Sequence, residues 1–445
     1  MTEKIKDYIE NKQYSKVREE IVKLNEVDIA AGVVEELPIE ELVKIFRLLP
    51  KDIAAEVFSY LPIDEEQTII TMLTDKEAAS IIDNLFADDA ADLLDEMPAS
   101  VVKKLLLSAS PEQRRDINHL LQYPDNSAGS VMTVDFVDLK ENITVADAIN
   151  RIRSIGVDKE TVDTCFVLDL NRKLLGQIGL RELILSDPNE IIGNIMEDNV
   201  VTTTTLTDQE EVAQLFGKYD LNLMPVVDSE NRLVGIITVD DIVDIMEQEA
   251  TEDMEMMAAI TPTDKPYMKT GVWETFKKRI PWLLILMISA TFTGSIIQSF
   301  EDALSKMSVL SSFIPMLMDT GGNAGGQSSV TIIRGISLHE IEFSDIFKIM
   351  WKEIRVAVIC GIVLAVCNFA RLMIFDKVSV MVAVVVCATL VLTVLFAKLV
   401  GCTLPLLAKQ VGFDPAVMAS PFITTIVDAI SLVVYFNIAV RLLGI

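Results

Sequence analysis

The sequence predicts a multidomain α-helical membrane protein: an N-terminal superhelix of short helices, a tandem α/β repeat, a connecting helix and five transmembrane helices. Three observations carry this. Of the 66 acidic residues, 55 lie in the first 270, against 25 of the 38 bases, so a strongly acidic half precedes a nearly neutral one. The later half contains uncharged runs of the length that a bilayer core demands of a helix, about 20 residues. The acidic half repeats internally twice, once every 12 residues and once at an offset of 59.

The short repeat comes first. Leu37-Pro38, Leu49-Pro50, Leu61-Pro62 and Met97-Pro98 fall on one grid, with Leu73 and Leu85 in its remaining places. Proline cannot continue a helix but is tolerated at the start of the next. Residues 1–129 therefore read as a pile of short helices, of either hand, each too small to bury a face alone. Within it ADDAADLLDEMP sets Asp88 and Asp92 one helical turn apart. The opening MTEKIKDYIENKQYSK is polar, unlike a signal peptide, and the acidic half is expected in the cytoplasm.

The long repeat aligns VLDLNRKLLGQIGLREL (167–183) with VVDSENRLVGIITVDDI (226–242), pairing Asp169 with Asp228, Gly176 with Gly235 and Glu182 with Asp241. Each copy reads as strand, turn, strand, helix. SVMT and NIME open the copies, which span 130–193 and 194–245. The acidic DDIVDIMEQEATEDMEMMAA then continues as a helix, and 246–272 connects it to the apolar half, 273–445.

In that half, 280–300 and 379–397 are uncharged, and 356–370 is flanked by Arg355 and Arg371. Segments 303–333 and 414–440 are apolar but contain Asp319 and Asp428. Basic residues cluster on one side, including Lys277, Lys278 and Arg279, with Lys398 and Lys409 bordering the fourth loop. The positive-inside rule then places the N-terminus inside and the C-terminus outside. No basic residue is expected deep in a span. A lone mid-membrane charge costs about 2.5–3.5 kcal/mol even on the lenient insertion scale, so Asp428 needs a partner or a water-filled path. Ser420, Thr424 and Asp428 repeat every fourth residue, an oxygen stripe of the kind a hydrated hard cation takes. Asp319 begins DTGGNAGGQSS, whose four glycines either break the helix or admit another backbone closely, with Asn323 adding an amide.

Several classes are excluded. The net charge of −28 repels nucleic acid. Five cysteines without a CxxC pair form neither a disulfide framework nor a thiolate zinc site. The two histidines, His119 and His339, sit in no catalytic pattern, and GxxxxGK[ST] is absent, so no enzyme is expected. A non-conducting membrane sensor is the competing class.

PMLMDTGGNAGGQSSVTIIRGI and GFDPAVMASPFITTIVDAI resemble the second and fifth membrane helices of the MgtE magnesium channel family. The tandem repeat resembles a CBS pair. The resemblance implies a homodimeric channel in the inner (plasma) membrane that carries Mg²⁺, or a broader set of divalent cations such as Co²⁺, Ni²⁺ and Mn²⁺. It implies pore ligands at Asp428, Thr424, Ser420 and Asn323. It implies regulatory Mg²⁺ sites at Glu56, Asp88, Asp92, Asp208, Glu210, Asp220, Asp241, Asp244, Glu249, Glu252, Asp253 and Asp414. ATP as a regulatory ligand would use Thr238 and Glu182.

Overall fold

The structure, a computed structural model, describes residues 3–95, 97–263, 267, 268, 270–418 and 420–444, with the side chains of 3, 33–36, 39, 40, 52, 158 and 420 excepted. The chain forms two compact units, Met1–Met246 and Glu247–Ile445.

The first unit opens with ten short helices: α1 Glu3–Glu10, α2 Tyr14–Ile21, α3 Glu26–Glu36, α4 Ile39–Phe46, α5 Lys51–Ser59, α6 Ile63–Met72, α7 Asp75–Ile82, α8 Ala87–Asp95, α9 Ala99–Ser108 and α10 Pro111–Leu120. The proline grid sets their boundaries. Pro38, Pro50, Pro62 and Pro98 stand immediately before α4, α5, α6 and α9 in extended conformation. Where the grid lacks proline, Thr74 caps α7 reciprocally with Glu77, and Ser110 accepts from the Gln113 amide. From α3 onward each helix packs on the one two along the chain, as α5 does on α7 and α8 on α10. This alternation buries Phe46, Phe58, Ile69, Ile82, Leu93 and Leu94 in a continuous core.

The tandem repeat follows: β1 Asp138–Lys140, α11 Val145–Ile155, β2 Thr164–Leu168, β3 Leu174–Gly179, α12 Leu180–Leu185 and α13 Ile192–Ile195, then β4 Thr203–Thr204, α14 Gln209–Tyr219, β5 Leu223–Val227 and β6 Leu233–Thr238. Its two sheets, β1-β2-β3 and β4-β5-β6, share one topology and one register irregularity. The matched aspartates build the same turn: Asp169 accepts from the amides of Asn171 and Lys173, Asp228 from those of Glu230 and Arg232. The matched glycines admit a crossing strand. A methyl on Gly176 would strike the Glu197 carbonyl, and one on Gly235 would strike Met132 and the Thr133 carbonyl. The SVMT segment that opens the first copy thus lies on the second copy's sheet, where Thr133 bridges to Ile236.

Helix α15, Val239–Met257, begins in the first unit and ends in the second. The second unit then holds α16 Val272–Ser299, α17 Glu301–Lys306, α18 Ile314–Ser337, α19 Ile346–Arg371, α20 Val380–Val411 and α21 Ser420–Leu443. Among the described residues four stretches, containing α16, α19, α20 and α21, are long and apolar enough to cross a membrane. Helix α18 is the fifth long helix, and it packs on α20 and α21.

Two expectations change here. The segment expected to span from residue 303 is broken before α18 by α17 and a tight 3₁₀ stretch, Ser308–Phe313, and α18 starts afresh with Pro315 in its first turn. Lys398 does not border a loop. Nothing stops α20 before Gly412, whose φ of 84° ends it, so Lys398 falls inside the helix and is buried.

The glycines of α18 leave it helical and let other backbones approach. A methyl on Gly401 of α20 would collide with the Gly325 carbonyl, which belongs to backbone and cannot swing aside. Gly401→Ala should therefore destabilise the unit by about 1–3 kcal/mol, the usual range for overpacking. Gly294→Ala, in the interior of α16 with nothing within 4 Å of the added methyl, should be neutral to slightly stabilising, because glycine weakens a helix interior. Thermal unfolding of the two variants in detergent distinguishes them, and equal midpoints would refute the contact.

Candidate functional site

The second unit places its polar groups on three helices. Asp428 lies on α21, eight residues in, and is partly exposed; its Oδ1 is buried without a hydrogen-bond partner among the described residues. Thr424, one turn earlier, faces α18: a methyl on Gly322 would lie 3.3 Å from its Oγ1. Asn323 is exposed, and with Asp319 and Gln327 it forms an exposed polar stripe at every fourth residue of α18. The side chain of Ser420 lies outside the described residues. Ser329 Oγ on α18, in the polar string that begins at Asp319, and Thr393 Oγ1 on α20, which sequence reasoning missed, are both buried without hydrogen-bond partners among the described residues. Ser329 shares the inward face of Gly322 and Gly325.

The only cation among the described buried residues is Lys398. It does not serve Asp428. Its Nζ lies 3.6 Å from Glu353 on α19.

The last turns of α15 meet the base of α18 inside this unit. Ser337 Oγ donates to Asp253 Oδ2 at 3.3 Å, and Met256 and Met257 pack with Ile333 and Ala416. Burial, then the nearby Asp414, raises the Asp253 carboxyl above its ordinary range. Asp414 is exposed and accepts from the Ala416 amide at 2.7 Å. Glu249 and Glu252 are half-buried on the same helix.

In the first unit, α8 brings acids against the tandem repeat. Asp88 is raised well above the usual carboxylate range by burial and by Asp89, Asp241 and Glu160, and its Oδ1 has no hydrogen-bond partner among the described residues. Burial with Asp241 and Asp240 pushes Asp89 up to about 6. Asp92 is solvent-accessible overall, yet the protein packed around its carboxylate, with Asp89, Asp241 and Asp95, pushes it up to about 7. Glu160 reaches about 7, through burial and then Asp241. Asp241 is raised by burial, although Thr238 Oγ1 donates to it at 2.6 Å. Beneath α8, Glu66 on α6 is pushed up to about 9 by burial, Asp89 and Asp92.

Of the expected regulatory acids, Asp88, Asp92 and Asp241 thus come together, with Asp244 next to Asp241 on α15. Glu56, Asp208 and Asp220 are exposed, as is Glu182, expected at the nucleotide site. Asp208 caps α14, its carboxylate accepting from the Glu210 amide at 2.9 Å, and Asp220 ends that helix with φ 52°. Among the described residues no three acids, histidines or thiols stand at metal-ligand spacing. The acids form a crowd in need of positive charge.

Residues 314–438 match a family model described as MgtE, divalent cation transporter, 24–126 match the MgtE intracellular N domain, and 192–248 match a CBS domain. The magnesium transporter MgtE of Thermus thermophilus is 37% identical over 333 residues, covering 75% of this chain and 74% of that protein.

The chain belongs to the MgtE family.

The magnesium transporter MgtE of Bacillus subtilis is 35% identical over 355 residues, 78% of this chain and 77% of that one. A solved cytosolic domain of the Mg²⁺ channel MgtE in complex with ATP is 35% identical, with a TM-score of 0.52, over 54% of this chain and 98% of its own. The soluble part of a magnesium transporter gives 30% identity and a TM-score of 0.52, over 55% and 96%. Membership in MgtE and the apolar helices together make this a multi-pass membrane protein with a cytosolic N-terminal domain.

The acid crowd makes a pH prediction. Carboxyls whose folded-state values exceed their unfolded ones bind extra protons in the compact state. That contribution is whole below the ordinary carboxyl value near 4 and is lost as pH rises through 6 and 7, where Asp89, Asp92 and Glu160 ionise. Metal-free protein should therefore hold α8 against the repeat at pH 5 and release it by pH 8. Spin labels on α8 and α11 would measure this, and a distance unchanged between the two pH values would refute it.

Proposed function

We propose that two copies of this chain form a Mg²⁺ channel of the cell membrane, selective at Asp428 and closed by cytosolic Mg²⁺ bound to its acidic region. The observation that carries the reading is Asp428: a carboxylate inside an apolar helix, with one oxygen unpartnered among the described residues while the buried lysine is engaged elsewhere. A visiting hydrated cation satisfies it, because Mg²⁺ keeps most of its waters and takes oxygen ligands. Thr424, Asn323 and Ser420 are the further oxygens we assign to the path. The stripe of Asp319, Asn323 and Gln327 lies exposed on a single copy, and a two-fold pairing of α18 faces would cover it.

The ion runs inward down its gradient. The membrane potential favours entry by about 2.3 kcal/mol per charge per 100 mV, doubled for a divalent ion. The N-terminus and acidic unit face the cytosol and the C-terminus faces outside, following the basic residues.

Feedback uses the acid crowd. Two like charges 8 Å apart in water repel by only about 0.5 kcal/mol, but Asp88, Asp89, Asp92, Glu160 and Asp241 make many such pairs. Bound Mg²⁺ relieves them and favours the compact state. The acids of α15 carry this to the membrane unit, where Asp253 meets Ser337 of α18. ATP joins as a regulatory ligand through Thr238 and Glu182, supported by the ATP complex of the related cytosolic domain.

Two variants test the parts separately in Mg²⁺ uptake by liposomes. Asp428→Asn should lower uptake at least about tenfold, the loss expected for a required contact at the narrowest point. Neutralising Asp241, Asp244, Glu249, Glu252 and Asp253 together should leave uptake intact but insensitive to Mg²⁺ on the cytosolic face. Full-rate, selective uptake without the Asp428 charge would end the pore assignment, and retained inhibition in the second variant would end the feedback assignment.

A further inference from the structure

Three helices of the membrane unit meet at one buried ionic cluster. Lys398 on α20 is 6% exposed. Its Nζ donates to Ser328 Oγ on α18 at 3.2 Å and lies 3.6 Å from Glu353 Oε2 on α19. Ser328, 3% exposed, donates to that same Glu353 oxygen at 2.6 Å. Apolar side chains would hold these helices together at least as well, since burying two charges forfeits their hydration. An ionic cluster adds direction: its best-attested use is to fix register between packed helices.

Helix α18 needs such a key. Its inward face is glycine at 321, 322 and 325, lying against Thr393, Thr424, Ile423 and the α20 backbone. Glycine has no side chain of its own to interlock there, so large buried side chains key this helix only outside the stretch, at Leu317 and from Ile332 to Ile336. The outward face carries Asp319 and Asn323. Ser328 stands five residues beyond Asn323, about 7.5 Å along the axis. Any turn of α18 at Ser328 therefore turns Asn323 by the same angle.

We infer that Lys398, with Glu353, is a positioning residue of the ion path: through Ser328 it sets the rotation of α18, and so where Asn323 and the Gly322–Thr424 contact stand relative to Asp428. The inference rests on the reading of Asp428 as the selective point.

The test is Mg²⁺ uptake into liposomes by purified full-length protein, recorded as a function of Mg²⁺ and in competition with Ca²⁺. Ser328→Ala keeps both charges and removes the tie to α18. It should raise half-saturating Mg²⁺ by about threefold or more, or lower the preference for Mg²⁺ over Ca²⁺ by a similar factor, at normal yield of folded protein. Lys398→Met strands Glu353 and should lower yield as well. Lys398→Met with Glu353→Gln removes both charges; it should recover the yield and retain the altered concentration dependence. A role in stability alone would change the amount of active protein and leave both ratios at wild-type values. That result in Ser328→Ala and in the double variant overturns the inference. Wild type and Asp428→Asn measured in the same vesicles separate the two failures, because uptake indifferent to Asp428 removes the pore reading itself.

Discussion

A charge held inside an apolar helix bundle must be matched by an opposite charge or by water. The membrane unit meets this constraint in two different ways. Lys398 is answered by Glu353 and Ser328, within a cluster closed on three helices. Asp428 receives no such answer from the described residues. The separation matters, because a lysine paired to Asp428 would fill the place of an ion. The length of α20 and the bare backbone of α18 are both consistent with it. Helix α20 has to run past Lys398 to bury it, and α18 has to come close enough for Ser328 to join, which Gly325 and Gly401 permit.

The acidic unit applies the same rule where water is available. Burial first, and then the nearby Asp241, hold protons on Asp88, Asp89, Asp92 and Glu160. No lysine or arginine is among the groups that shift them. Protons or external cations are then what balance the cluster. Such an arrangement costs stability in exchange for dependence on the medium, unlike the Arg47–Glu77 pair on the outside of the helical pile, which holds its charge internally.

Sequence reasoning reached whatever is encoded locally. The proline grid marks helix starts because proline acts on its own and neighbouring residues. Asp169 and Asp228 announce matching turns because each bonds to amides two and four residues away. The Asp88–Asp92 pair was legible for the same reason, being one turn of one helix. What escaped depends on distant partners. Glu160 sits in a loop between α11 and β2, and nothing near it in sequence marks it as facing α8. Lys398 resembled a loop flank, since a lysine at the end of an uncharged run borders a membrane in most chains. Only Ser328 and Glu353, 70 and 45 positions away, make it an interior residue.

The crossing strands of the tandem repeat bear on how the chain comes to be folded. Thr133 edges a sheet whose own strands are made roughly a hundred residues later, and such distant pairing slows assembly. A ribosome emitting this protein releases the first copy with one strand still waiting for its sheet. Cutting between the copies would remove the bridges Thr133–Ile236 and Gln177–Glu197 and expose the sheet edge that each covers.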